Sequence, residues 1–101
     1  MGVLRKGEIW LVDGPRGKRL RLIISGDLFN ATDVPVVLVA EVVEGEVLRD
    51  SPLAFPAGVD RTVLPDRLNW TTKSWLVERV DVLDADAVAH LDRALRVILD
   101  C

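Results

Sequence analysis

Apolar and polar positions alternate in short stretches along most of the chain, and the period changes only near its end. GEIWLV at 7–12 reads as a first strand, with Ile9, Trp10, Leu11 and Val12 supplying core. DGPRGK at 13–18 is turn chemistry, two glycines and a proline with Arg16 at its tip. LRLIIS at 20–25 predicts a second strand that forms a hairpin with the first. GDLFNATD at 26–33 is a polar connector with room for one helical turn. PVVLVAEVV at 35–43 is the most β-branched run and predicts a central strand buried on both faces, ended by EGE at 44–46.

The next thirty residues carry a weaker pattern. VLRDSPLAFPAG contains a short strand interrupted by Pro52 and Pro56, which places it at a sheet edge. TVLP and LNWTTKSWLV predict two further short strands around a turn at Pro65–Asp66–Arg67. From Asp84 the period becomes helical: Val88, Leu91, Leu95 and Ile98 share a side with Ala87 and Ala94. Asp84 is the expected N-cap, and Asp86 suits the positive end of the helix dipole. Five to six short strands followed by one helix predict a mostly β fold, a small twisted barrel capped by its C-terminal helix. A single domain over 1–101 is expected, with the barrel at about 7–76 and the helix at about 84–99.

Composition adds little to that picture except through charge. Of 101 residues, 50% are apolar and 29% charged, which is globular rather than disordered usage. The longest apolar run, PVVLVA, is too short to span a bilayer, so no membrane association is expected. The N-terminus lacks a signal-peptide core, and the single cysteine, Cys101, suits a reducing compartment; a cytoplasmic protein is expected. The net charge of −3 hides an asymmetry. Residues 1–21 carry six cations, Arg5, Lys6, Arg16, Lys18, Arg19 and Arg21, against Glu8 and Asp13. A polyanion would therefore meet the N-terminal third, by local field rather than by global charge.

Candidate chemistry concentrates there. Along a strand, Arg19, Arg21, Ile23 and Ser25 share one face and Leu20, Leu22 and Ile24 the other. Two arginines beside a flexible basic loop can hold a phosphate, or can simply form a solvated rim. There is no zinc-ligand spacing, no GxxxxGK[ST] phosphate loop and no histidine pair, so neither metal nor cofactor is expected. His90 reads as a surface helix residue. Thr71, Thr72 and Lys73 read as turn residues, with a loop hydroxyl near a phosphate, such as Thr71 carrying the proton, as the alternative; Trp70 and Trp75 read as core or interface packing with base stacking as the alternative.

RKGEIWLVD, a Gly-rich loop, a basic residue, an apolar strand ending in serine, Asn30 and the terminal DADAVAHLDRALRVIL together resemble the MazF/PemK toxin family. The resemblance implies an SH3-like barrel of the CcdB/PemK type, a homodimer, a cognate antitoxin and a metal-independent endoribonuclease acting on single-stranded RNA. In that reaction the ribose 2′-hydroxyl attacks its own phosphodiester, leaving a cyclic phosphate and a free 5′-hydroxyl. Arg19 matches the family's catalytic arginine, with Leu20 where a proline usually follows. Arg16, Lys18, Arg21, Ser25 and Arg79 are the expected RNA-binding residues.

Two further stretches depart from the family pattern. Alignment places Val42 in the slot of a catalytic threonine at the end of the third strand, which predicts a valine facing the phosphate. Glu41 is the neighbouring candidate for proton transfer, although in that register it points to the opposite face unless a bulge intervenes. In WLVERVDVL, Arg79 replaces a glutamine and Asp81 a base. The alternatives left open are a non-catalytic relative that binds RNA or another target, and, ranked last, a gyrase poison.

Overall fold

The computed structural model describes residues 3–45 and 52–99. Six antiparallel strands form one curled sheet: β1 (Glu8–Gly14), β2 (Gly17–Ile23), β3 (Val36–Glu44), β4 (Phe55–Pro56), β5 (Arg61–Thr72) and β6 (Leu76–Val82). Their order is β4-β5-β3-β2-β1-β6. A single helical turn, α1 (Asp27–Asn30), links β2 to β3, and α2 (Ala85–Leu99) closes the chain. This is the expected mostly β architecture with a C-terminal helix. The strand expected across 47–58 lies partly outside the described residues; its described part, β4, occupies the sheet edge as its prolines required.

The first hairpin is tighter than DGPRGK suggested. Gly14 pairs with Gly17, so only Pro15 and Arg16 form the loop, while Lys18 and Arg19 already belong to β2. Gly17 turns the chain at φ +90°, where a Cβ would be strained. Gly14 is needed for space, since a Cβ there would lie 3.0 Å from the Trp75 ring.

Side-chain alternation gives the sheet two apolar faces. On one, Ile9, Leu22, Ala40, Val42 and Val63 pack under Leu91 and Ala87 of α2. The helix begins as expected, with Asp84 Oδ1 accepting the Ala87 N–H at 2.9 Å. On the other face, Ile23, Val37, Val39 and Leu4 form a smaller cluster flanked by Trp10 and Leu76.

Two segments differ from the sequence-based expectation. Pro65–Arg67 is not a turn between strands. β5 continues past it, but Ala40 pairs with Leu68 while Glu41 pairs with Leu64, leaving three residues of β5 without a β3 partner. Pro65 is buried, so its ring anchors a bulge where a proline costs no ladder hydrogen bond. LNWTTKSWLV is not one strand either: a 3₁₀ turn at Lys73–Trp75 separates β5 from β6. The sheet thus extends to Val82 rather than ending near residue 76. Arg61 on β5 bonds Asp81 on β6 at 2.9 Å, a contact between the two outer regions of the curled sheet.

Glu8 is the buried ion that holds the N-terminal end of this sheet. It is 2% exposed and accepts the Arg5 N–H at 2.9 Å, the Trp10 indole N–H at 3.1 Å and an Arg79 N–H at 2.9 Å. Burial pushes its carboxyl up, but these donors outweigh it and hold the group below the usual carboxylate range. A depressed native value stabilises the fold above the ordinary carboxylate value of about 4.3 and loses that contribution as pH falls through the native one. Glu8→Gln should therefore lower stability by about 1–3 kcal/mol at pH 7. Thermal unfolding should show the gap to the native chain narrowing below about pH 4; an equal gap at pH 3 would leave the carboxylate without an ionic role.

Candidate nucleic-acid groove

The face carrying the smaller cluster opens toward the β1–β2 hairpin into a groove of about 600 Å³. Its wall combines Arg16 at the hairpin tip, Arg19 and Arg21 of β2, Glu41 of β3 and Arg67 of the β5 bulge. Four arginines thus face one carboxylate on a protein of net charge −3. The local potential is opposite in sign to the whole, as a polyanion site requires.

Register determines who stands opposite whom. In the β2–β3 ladder Arg21 pairs with Glu41, and Leu20 pairs with Val42. On the other side of β2, Arg19 pairs with Val12 and Arg21 with Trp10. Arg19, Arg21 and Glu41 therefore share the groove face. Val42, 4% exposed, lies in the core beneath α2. This corrects the expectation that Val42 faces the phosphate beside Arg19. Because the β2–β3 ladder is regular, alternation turns the neighbouring Glu41 toward the arginines with no bulge in β3. The register shift beside Glu41 lies across the strand, in β5.

The groove arginines are held differently. Arg21 is half-buried and donates from Nη1 to the Leu20 carbonyl at 2.8 Å. Burial pushes its guanidinium below the ordinary value, Glu41 opposes that, and Arg19 adds to it; the group remains a cation. Arg67 reaches Glu41 Oε2 at 3.5 Å, with 62% of its side chain exposed. Arg16 and Arg19 are exposed. Thr71 lines the groove from β5 but is buried, so it is not the turn residue expected.

Three of the expected binding residues are not part of the groove lining. Lys18 is exposed on the hairpin. Ser25 Oγ bonds the Asn30 side chain and receives the Leu38 N–H at 3.2 Å, tying α1 to β3. Arg79 is engaged with Glu8. Lys73 likewise has a structural task, donating to the carbonyls of Asn30 at 2.9 Å and Thr32 at 2.8 Å. His90 sits on α2 with its ring 5.7 Å from Phe55. Arg67 is the groove residue that sequence reasoning passed over; its signal was a cation following Pro-Asp inside an apolar run.

Among the described residues no cluster of three or more His, Cys, Asp or Glu side chains could hold a metal ion. No helix among them is long and apolar enough to cross a membrane.

Several solved structures share this fold. A mycobacterial endoribonuclease solved in complex with its cognate antitoxin superposes with a TM-score of 0.84 at 18% identity, covering 96% of this chain and 95% of the other. MazF in a MazE–MazF complex from Deinococcus radiodurans gives 0.79 at 20% identity, covering 98% and 97%. A MazF toxin of Mycobacterium tuberculosis gives 0.74 at 17% identity, covering 92% and 96%. A search of curated protein sequences returned no match. The sequence pattern of the PemK-like, MazF-like toxins of type II toxin–antitoxin systems matches residues 5–99. With that match spanning nearly the whole sequence, and with the curled sheet and its C-terminal helix in place, the chain belongs to the PemK/MazF toxin family.

Proposed function

We propose that this toxin is an endoribonuclease that cleaves single-stranded RNA in the arginine-lined groove, with Glu41 as the proton acceptor. The observation that carries this reading is the pairing of Arg21 with Glu41 across β2 and β3, beside Arg19. The chemistry needs an in-line phosphodiester, charge neutralisation at the phosphoryl oxygens and a base for the 2′-hydroxyl. Arg19 supplies the neutralisation, since its planar fork grips two phosphate oxygens and never deprotonates. Glu41 takes the proton as the 2′-oxygen bonds to phosphorus. The bond to the 5′-oxygen then breaks, and that oxygen leaves with a proton from water. The products are a 2′,3′-cyclic phosphate and a 5′-hydroxyl. Arg16 and Arg21 hold flanking phosphates, which a flexible single strand can present in line and a duplex cannot.

Solved relatives are bound to antitoxins. By the same logic, a cognate antitoxin of this chain would lay an acidic segment along the groove and exclude RNA. The toxin acts in the cytoplasm, where its messenger substrate is, and works as a homodimer, because a barrel of 101 residues buries limited apolar surface alone. A second reading, RNA binding without cleavage, is favoured by one contact: Arg67 stands 3.5 Å from Glu41 Oε2.

The substitutions that separate these readings follow from the register. Glu41→Gln should reduce cleavage by about 10² to 10⁴ while RNA affinity is kept. Arg19→Ala should lower the cleavage rate more than the affinity. Val42→Thr, which places a hydroxyl in the core, should leave cleavage unchanged and cost about 1–3 kcal/mol of stability. Cleavage of a labelled single-stranded RNA and thermal unfolding measure all three; a gain of activity in Val42→Thr would return the site to the residue the register rejects.

Light scattering at micromolar concentration should give about twice the 11.2 kDa chain mass, and a monomer there would remove the dimer from the account.

A further inference from the structure

The reading of Glu41 as proton acceptor, on which this inference rests, leaves one contact unexplained: a base is more useful without a cation on it, and Arg67 stands 3.5 Å away. That distance is beyond ordinary hydrogen-bond range, so the pair is loose. Arg67 is also the last of three residues that β3 does not pair, on a bulge anchored from below by the buried Pro65. Its side chain is 62% exposed. Arg21, by contrast, is half-buried and fixed on the Leu20 carbonyl. We propose that Arg67 is a further phosphate-binding residue that exchanges partners, pairing with Glu41 in the free protein and moving onto an RNA phosphate when the substrate enters.

Geometry and charge favour the exchange. A phosphodiester gripped through two oxygens is a better partner for a guanidinium than a carboxylate oxygen at 3.5 Å. The other charges lining the groove come from β2, as Arg21 and Arg19, and from the hairpin tip, as Arg16. β1 contributes only the neutral Val12 and Gly14 to the lining, and β5 beyond Arg67 contributes Leu68, Asn69, Trp70 and Thr71, also neutral. Asp66, the other charge on the bulge, is exposed and outside the lining. When Arg67 leaves, Glu41 keeps Arg21 as its cross-strand neighbour, and its Oε2 is free to face the 2′-hydroxyl as it arrives.

The test uses Arg67→Ala and Arg67→Lys in the full chain. Binding is measured by fluorescence anisotropy on a 2′-O-methyl RNA oligonucleotide, which cannot cyclise, across a salt series. Arg67→Ala should flatten the salt slope by about one phosphate contact and weaken binding about fivefold at 0.1 M salt, and Arg67→Lys should restore the slope. In cleavage, Arg67→Ala should raise KM about fivefold, because the substrate loses one phosphate contact. The value of kcat should stay where it is, because Arg67 has already left Glu41 in the complex. A wild-type salt slope, or a change in kcat, overturns the exchange. The underlying reading fails separately: cleavage by Glu41→Gln at the native rate removes the proton acceptor, and the exchange with it. With Glu41→Gln inactive, an unchanged slope in Arg67→Ala overturns the exchange alone.

Discussion

The cross-strand pairing of Arg21 with Glu41 is the constraint on which the site depends. Antiparallel pairing brings opposite residues of neighbouring strands onto the same face, so one register decides which β3 side chain meets the β2 arginines. Shifted by a residue, Val42 would meet them and Glu41 would be driven into the core beneath α2. Burying that unpaired carboxylate would cost several kcal/mol, which is more than any local preference of the strand could offset. The apolar face therefore enforces the polar one: Leu22, Ala40, Val42 and Val63 must lie under the helix, and the groove residues follow from that.

The groove's charge is concentrated by the same means. The tight Pro15–Arg16 loop brings β1 and β2 together at the rim, and the β5 bulge delivers Arg67 from the opposite wall. Cations outside the groove do other work. Arg79 satisfies buried Glu8, Arg61 bonds Asp81 across the sheet's outer strands, and Lys73 holds the carbonyls at the end of α1. Asp81, which stands where the family pattern has a basic residue, is the partner of Arg61. The acidic net charge of the chain thus coexists with a cationic groove because the cations divide between two tasks.

Much of this was legible in the sequence where the signal is local. The terminal helix and its Asp84 cap follow from period and capping chemistry, and Arg19 and Arg21 on one face of β2 follow from alternation. What was not legible depends on partners distant in sequence. Pro65 looks like a turn residue until its ring is seen to be buried, and only then does the strand run on through it. β6 is an outer strand with mostly half-exposed or exposed side chains, so its pattern is weak. Val42 and Glu41 are adjacent, and no property of either reveals its face; the pairing partner does. Ser25 and Arg79 looked available because serine and arginine bind phosphate, but their hydrogen bonds had already been taken by Asn30 and Glu8.

Identification of the product ends tests the central claim most directly. A single-stranded RNA labelled at each end is incubated with the purified chain, alongside a copy carrying one 2′-deoxy nucleotide at the cut position. The account predicts a 2′,3′-cyclic phosphate and a 5′-hydroxyl from the first and no cut at the substituted position in the second. Products ending in a 5′-phosphate, or cleavage of the deoxy-substituted site, would contradict attack by the 2′-oxygen and with it the role assigned to Glu41.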